Sequence, residues 1–358
     1  STRKESSAAS DVYKRQRMVS LSLILSDMNN VSIAYPLWIF RKHLSILRIP
    51  INLYCYILEN IKNMNNLFFS RFCGLLLLCS IGVAAFAQKG YKRAYTLFNA
   101  EGKEIGYDEL IEALAQPDVV FIGEIHNCCI THWLEYEITR SLYAIHKEKL
   151  MLGAEMLEAD NQLILDEYMS RAISYDRFEA EARLWDNYST DYAPFVFFAK
   201  ENKIPFIATN VPRRYANVVK DNGLQYLDSL SNEAKRYLPP LPIQFTYKEE
   251  EGGAFALMQM MGKSKGNQEY LAQAQAIKDA TMGWFIAHNI KDKFLHFNGN
   301  YHSDFKGGII PYLLQYRPGT TIKTVCSVRQ ESIDQLDEEN KGRADFYICV
   351  PEDMTSTY

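Results

Sequence analysis

Two widespread catalytic signatures are missing from this chain, a Walker phosphate loop and a G-x-G-x-x-G dinucleotide motif. The chain has one G-x-S-x-G string, at 262–266, but it follows no predicted core strand and therefore does not form a nucleophile elbow. Because the chemistry of each class depends on the backbone geometry that its motif provides, these observations argue against a P-loop NTPase, a dinucleotide-dependent dehydrogenase and a serine hydrolase of the α/β type. No spacing of cysteine and histidine has the pattern of a zinc knuckle either.

Positive charge is scarce in the part that we predict to be the mature protein. Of the 39 Lys and Arg residues, 10 precede Gln88, against 4 of the 43 Asp and Glu residues. Residues 88–358 therefore carry 29 basic and 39 acidic side chains, a net charge of −10. Because phosphate backbones bind to basic faces, this balance argues against nucleic acid as a partner.

Cysteine is also rare, and only four of the seven cysteines follow residue 88: Cys128, Cys129, Cys326 and Cys349. Adjacent residues such as Cys128 and Cys129 rarely bridge each other. If the exported protein has a disulfide, we expect it between Cys326 and Cys349, since both lie in strand-like runs near the end of the chain.

The beginning of the chain has the layout of a secretory signal peptide from Met64 to Ala87. Arg71 precedes an apolar run over residues 74–84, and an A-x-A site ends at Ala87. We predict an exported protein, periplasmic or outer-membrane-associated, that begins at Gln88. Residues 1–63 have no settled hydrophobic period, and we interpret them as a non-native upstream segment; the alternative is a membrane-associated leader.

Strand-like and helix-like segments alternate from residue 88 onwards. The strand-like runs are residues 119–122, 150–154, 205–208, 294–297, 321–328 and 346–350, and the helical stretches are residues 132–146, 161–169, 192–201 and 268–289. Such alternation predicts an α/β fold with a mostly parallel sheet flanked by helices. We expect a single domain over residues 88–358.

Residues 225–290 interrupt this rhythm with a proline cluster at 239–242 and methionines at Met258, Met260 and Met261. We interpret them as a helical insertion, or lid, between core strands, because methionines suit an adaptable apolar surface. Ordinary core packing of amphipathic helices is the alternative interpretation.

Two copies of one pattern, Gly123-Glu124-Ile125-His126 and Gly299-Asn300-Tyr301-His302, follow predicted core strands. The glycine is expected to turn the backbone sharply at the strand end. The histidine then lies at the carboxyl edge of the sheet, where open α/β sheets bind ligands. Glu124 and His126 are two residues apart and therefore point the same way in an extended segment.

Other polar residues follow neighbouring predicted strands. Glu155 ends the second strand, and Asn210 and Arg213 follow the third. Glu124, His126, Glu155 and His302 could ligate a metal ion that activates water. The same residues could instead form a polar cleft in which Arg213 pairs with a carboxylated ligand, and a Glu155–Arg213 salt bridge is the purely structural alternative.

Two further residues, Asp279 and His132, are candidates for the site. Asp279 lies among apolar residues in the long helix, and we expect it to orient a histidine at the cleft. His132 could approach the site or cap its helix.

The order and spacing of these motifs resemble the ChaN-like haem-binding family of the Tiki superfamily. The resemblance rests on the two G-x-x-H motifs, His132, Glu155-Met156, the run 210–214, and Asp279 with Met282, and it covers roughly residues 115–330. It implies an exported, iron-regulated haem-binding protein with an α/β core and a helical insertion over the cleft. It also implies a homodimer that encloses stacked haems, an axial tyrosine ligand, and outer-membrane haem-uptake components as partners.

On this resemblance, Tyr247 and Tyr270 are the candidate axial ligands, and Arg213 or Arg214 would pair with a haem propionate. The other expected haem contacts are Asn210, His126, His302, Met258 and Met261. The alternative is a metal-dependent hydrolase, similar to the Tiki and erythromycin-esterase branches, that uses Glu124, His126, Glu155 and His302. A binding module that retains the cleft without using it is the third hypothesis.

Overall fold

The computed structural model describes residues 92–245 and 268–358, which belong to one compact unit, Lys92–Tyr358. The predicted upstream segment and signal peptide lie outside the described residues, and so do Tyr247, Met258 and Met261. None of the helices in the described ranges combines the length and the apolar character needed to cross a membrane.

Seven strands form one sheet in the order β1-β7-β6-β2-β5-β3-β4. All neighbouring pairs are parallel except β1 and β7, which are antiparallel. The strands are β1 (Thr96–Asn99), β2 (Val119–Glu124), β3 (Leu150–Glu158), β4 (Phe206–Asn210), β5 (Lys293–Gly299), β6 (Ile322–Gln330) and β7 (Phe346–Pro351). The predicted α/β class with a mostly parallel sheet is confirmed. Strand β1, four residues long at the edge of the sheet, is not among the predicted strands.

The α-helices of the described residues flank this sheet. They are α1 (Tyr107–Ala115), α2 (Cys129–His146), α3 (Gln162–Met169), α4 (Tyr175–Glu181), α5 (Ala193–Asn202), α6 (Arg213–Asn222), α7 (Asn232–Lys235), α8 (Gln268–Asn289) and α9 (Ile309–Tyr316). A five-residue π-helix, Tyr188–Tyr192, leads into α5. Helix α8 has the bounds that its sequence pattern predicts.

Strand β2 is buried on both faces, as expected for a central parallel strand, and its side chains alternate between two hydrophobic clusters. Val120 and Ile122 pack in the cluster that contains the buried side of α2. Val119 and Phe121 pack with residues of α8 and α9. The fold therefore has three layers, and the parity of a strand position decides whether its side chain faces α2 or α8.

The predicted disulfide between Cys326 and Cys349 is wrong, because both thiols are buried and free. In the parallel β6–β7 pair, Cys326 lies opposite Tyr347, and Cys349 lies opposite Val328. The two cysteines are thus offset by two residues, about 6.6 Å along the strands, in addition to the separation of the strands. This offset exceeds the reach of a disulfide.

Candidate functional site

Both motif glycines occupy places where a side chain would collide with the opposite motif. A Cβ on Gly123 would lie 2.6 Å from Asn300 Oδ1, and a Cβ on Gly299 would lie 2.7 Å from the ring of His126. Neither glycine has a positive φ. The glycines thus allow the two G-x-x-H segments to touch at the ends of β2 and β5, which are parallel neighbours, and the chain turns into a 3₁₀-helix directly after Gly299.

Glu124 is the last residue of β2, and its buried carboxylate joins the first motif to the π-helix. Its Oε1 accepts hydrogen bonds from His126 Nδ1 and from the hydroxyl of Tyr192, each at 2.7 Å. The two side chains thus point the same way, as their spacing predicts, and they also form a hydrogen bond. Its position in β2 directs Glu124 to the α2 side of the sheet.

His132, on the first turn of α2, is buried next to Glu124. Its Nδ1 donates to Glu135 Oε2 at 3.0 Å and lies 3.7 Å from Glu124 Oε2. Its Nε2 lies 3.2 Å from the carbonyl oxygen of His126 and 3.4 Å from Asp191 Oδ2. We call Glu124, His132, Glu135 and Asp191 the first cluster.

Electrostatics in the first cluster favour a charged imidazole. Burial alone would lower the pKa of His132, but its hydrogen bond to Glu135 and the nearby carboxylates raise that pKa to about 10. Burial and the charge of Glu124 raise the pKa of Glu135 well above its ordinary value. Glu124 Oε2 and Glu135 Oε1 are buried and accept no hydrogen bond from any described residue.

A second cluster, formed by Glu155, Asp279 and His302, lies on the α8 side of the sheet. His302 Nδ1 donates to Asp279 Oδ1 at 2.6 Å, and its Nε2 lies 3.2 Å from Glu155 Oε1. The other oxygen of Glu155 accepts the backbone N–H of Gly299 at 2.8 Å. The expectation that Asp279 orients a histidine agrees with this contact.

The second cluster is also a charged triad. Burial opposes the imidazolium, but the charges of Glu155 and Asp279 raise the pKa of His302 to about 10. The pKa of Glu155 falls below its ordinary range because His302 and His126 offset its burial. Burial raises the pKa of Asp279.

His126 lies between the two clusters and is the most accessible of these histidines, with 38% of its side chain exposed. Its ring contacts Trp185 edge-on, with the ring centroids 4.9 Å apart. Burial lowers the pKa of His126, whereas the hydrogen bond to Glu124 and the charge of Glu155 raise it above the ordinary value. Nε2 has no hydrogen-bond partner among the described residues, so it is the nitrogen open to a ligand.

The other predicted contacts lie around this edge. Asn210 is buried and donates to the carbonyl oxygen of Glu155 at 2.9 Å. Arg213 is exposed, whereas Arg214 bonds to Asp160 at 2.5 Å and lies over the ring of Tyr215. The structural alternative of a Glu155–Arg213 salt bridge is wrong, because the carboxylate of Glu155 contacts His302 and Gly299 instead.

Tyr270 lies on the first turn of α8 and is half-buried. It precedes Asp279 by nine residues, which corresponds to about 13 Å along the helix axis. The structure therefore does not bring it into contact with the second cluster.

Sequence reasoning missed Glu135, Asp191, Tyr192 and Trp185. Of these residues, only Glu135 could have been found from a local sequence pattern. It lies three residues after His132 on the same helix, and both side chains are buried. Asp191 and Tyr192 belong to the π-helix, an element that often marks functional sites but has no clear sequence pattern.

Comparisons with known proteins agree with this fold. Residues 110–313 match the sequence model of the family described as haem-binding uptake, Tiki superfamily, ChaN. The solved structure of ChaN of Campylobacter jejuni with cofacially bound haem is similar to this chain, with a TM-score of 0.54 and 19% identity over 71% of this chain and 96% of that one. At this identity the likeness shows the fold alone.

An erythromycin esterase mutant in its open conformation is less similar, with a TM-score of 0.41 and 11% identity over 73% of this chain and 98% of that one. The type III effector HopBA1 has a TM-score of 0.39 and 12% identity over 69% of this chain and 93% of that one. No curated protein matches the chain.

Proposed function

Because the chain belongs to the ChaN family of haem-binding uptake proteins in the Tiki superfamily, we propose that it binds haem and acts in haem or iron acquisition. The match of the family over residues 110–313 is the observation that carries this proposal. We place the haem in the cleft at the carboxyl ends of β2, β3 and β5, beside the start of α8. Export, assembly into a homodimer and contact with outer-membrane uptake components belong to the same proposal.

The residues at this edge have the chemistry that a haem requires. When bound, ferric haem supplies an iron atom that accepts an imidazole or phenolate ligand. His126 offers an accessible imidazole whose Nδ1 is held by Glu124, the arrangement that orients metal-binding histidines. Tyr270 offers a phenol from α8, and Tyr247 remains a prediction from the sequence.

The exposed guanidinium of Arg213 has no hydrogen-bond partner among the described residues and is therefore available to a propionate. Arg214 would first have to release Asp160. We therefore favour Arg213 for this role.

A ferric haem titration of the purified protein tests the proposal. We expect saturable binding and a high-spin tyrosinate or imidazole spectrum, with the axial band lost in one of the variants Tyr270→Phe, Tyr247→Phe or His126→Ala. Tyr226→Phe is the matched control, since Tyr226 is an exposed tyrosine and 44% of its surface is accessible. Absence of saturable binding by the folded protein would refute the proposal.

One observation favours a second function, a metal-dependent hydrolase. At the carboxyl edge of the sheet His126 bonds to Glu124, Glu155 lies 3.2 Å from His302, and Gly299 lies between the two pairs; the pKa values of His126, Glu155 and His302 are all shifted. In this reading His126 is the accessible base, and the Asp279–His302 pair positions Glu155. His126→Ala would abolish hydrolysis in an esterase and peptidase screen, whereas under the haem proposal it would leave most haem binding intact if a tyrosine is the ligand.

A further inference from the structure

We propose that Glu124, His132 and Glu135 form a buried binding site for a divalent first-row metal ion such as Zn²⁺ or Mn²⁺, on the α2 side of the sheet beside the proposed haem cleft. One ligand atom from each residue lies within 4.8 Å of the other two, and all three residues are buried. No other group of three such residues in the described ranges has this spacing. Apart from Glu124, the site shares no residue with the metal set predicted from the sequence.

The atoms are spaced as metal ligands. His132 Nδ1 lies 3.0 Å from Glu135 Oε2 and 3.7 Å from Glu124 Oε2. A tetrahedral ion with bonds of about 2.0–2.2 Å separates its ligand atoms by roughly 3.5 Å. The ion would take the place of the Nδ1 proton of His132, which is released on binding. Two carboxylates and one imidazole match the preferences of Zn²⁺ and Mn²⁺.

The charge of the first cluster is not balanced by any cationic side chain other than histidine. Within the described ranges, Glu124, Glu135 and Asp191 form ion pairs only with His126 and His132. Several other acidic side chains are paired with Arg or Lys. Asp160 pairs with Arg183 and Arg214, Asp345 with Lys306 and Lys323, and Asp304 with Arg343. The second cluster pairs two carboxylates with one histidine, whereas the first cluster places three carboxylates around His132. A divalent ion that replaces the Nδ1 proton of His132 would add to the positive charge that these three carboxylates share.

Two unsatisfied atoms point to the same conclusion. Glu124 Oε2 and Glu135 Oε1 accept no hydrogen bond from an N–H or hydroxyl group of the described residues, and both side chains are fully inaccessible. Leaving a buried acceptor without a donor costs about 1–3 kcal/mol, and more for a charged group. In the metal-free protein the raised pKa of Glu135 keeps a proton between the two carboxyl groups. A metal ion bound by Glu124 Oε2, and by Glu135 through both oxygens, would replace this proton and satisfy both atoms.

The surrounding residues would hold the ligands in place. His132 Nε2 lies 3.2 Å from the carbonyl oxygen of His126 and 3.4 Å from Asp191, which leaves Nδ1 for the metal. Asp191 in turn accepts hydrogen bonds from Asn187 at 2.7 Å and from Thr357 at 2.8 Å. Such outer partners orient metal-binding histidines in other proteins.

The metal content of the purified protein tests this site directly. We expect close to one equivalent of Zn²⁺ or Mn²⁺ per chain by plasma mass spectrometry. After chelation, Co²⁺ should restore a visible absorption band, and Zn²⁺ should raise the unfolding temperature.

Glu135→Gln should weaken Co²⁺ binding more than tenfold. Glu137→Gln on the same helix is the matched control. Glu137 forms an exposed salt bridge with Arg140, and its substitution should leave the affinity for Co²⁺ unchanged. If Glu135→Gln does not fold, the metal content and the Co²⁺ spectrum of the unmodified protein decide the question by themselves.

A folded protein that contains no stoichiometric metal and gives no Co²⁺ band would overturn the proposal. In that case Glu124 and Glu135 share a proton instead. Haem binding is titrated on the same metal-depleted sample, so that failure of the metal site and failure of the haem proposal are separate results.

Discussion

His132 and His302 occupy similar settings on the two sides of the sheet. Each is a buried imidazole between carboxylates, and the pKa of each is raised to about 10. The second cluster is closed, because Glu155 uses one oxygen for His302 and the other for the backbone of Gly299. The first cluster is open, since one oxygen of Glu124 and one of Glu135 have no described donor. The number of donors, rather than the residue types, separates a structural triad from a candidate cation site.

Among the substitutions considered, removal of His302 from the second, closed cluster should cause the largest loss of stability. His302→Ala leaves Glu155 and Asp279 buried without their shared cation, and we expect a loss of about 3–5 kcal/mol in the free energy of unfolding. Urea denaturation measures this loss. His288→Ala, an exposed histidine on α8, is the control and should change stability by less than about 0.5 kcal/mol. A similar small loss for His302→Ala would contradict the closed triad.

The closed cluster should also make stability depend on pH. The pKa of His302 is about 10 in the folded protein and about 6.5 in an unfolded chain. Its stabilising contribution is therefore complete below about pH 6.5 and is lost as the pH rises towards 10. Urea midpoints between pH 6 and 10 should show a decline of roughly 2–4 kcal/mol in unfolding free energy. In His302→Ala the decline should be smaller by the share of His302, while His132, whose pKa is also about 10, contributes to the decline in both proteins. Equal slopes in the two proteins would show that His302 does not contribute.

The contact between the two motifs can be tested through Gly299, which separates the clusters. Gly299→Ala places a Cβ 2.7 Å from the ring of His126 and must displace that ring. We expect a loss of about 1–3 kcal/mol in stability and a shifted His126 signal in NMR spectra. Gly106→Ala is the matched control, because a Cβ there meets no atom within 4 Å. An unmoved His126 signal in Gly299→Ala would show that the strand ends can separate freely.

The smallest change in stability is expected for a substitution in the first, open cluster of the metal-free protein. Because the raised pKa of Glu135 keeps its carboxyl protonated in the metal-free protein, Glu135→Gln replaces one neutral donor to Glu124 by another, and the unfolding free energy should change by less than about 1 kcal/mol. The equivalent change in the closed cluster, Glu155→Gln, removes the negative charge that pairs with His302 and leaves one acceptor oxygen for two donors, and it should cost about 3 kcal/mol. Urea titrations of the two variants measure these losses in parallel. Equal losses of unfolding free energy would contradict the distinction between an open and a closed cluster.

Much of the site follows from local sequence patterns. The apolar runs before Gly123 and Gly299 predict β2 and β5, and parallel pairing brings the two motifs to one edge. Local patterns do not show that Glu124 and Glu155 lie at positions of opposite parity, so that they face α2 and α8 from the same edge of the sheet. The order of the strands, with β5 between β2 and β3, cannot be read from local periodicity.

The sequence by itself determined the α/β class, the bounds of α8 and the two histidines at the carboxyl edge, because hydrophobic period and glycine position are local properties. The tertiary structure alone decided that Glu135 and Asp191 join His132, that Cys326 and Cys349 stay apart, and that Glu155 pairs with His302 rather than Arg213. Each of these depends on strand register or on the packing of a helix against the sheet, which are set by contacts between residues far apart in the chain.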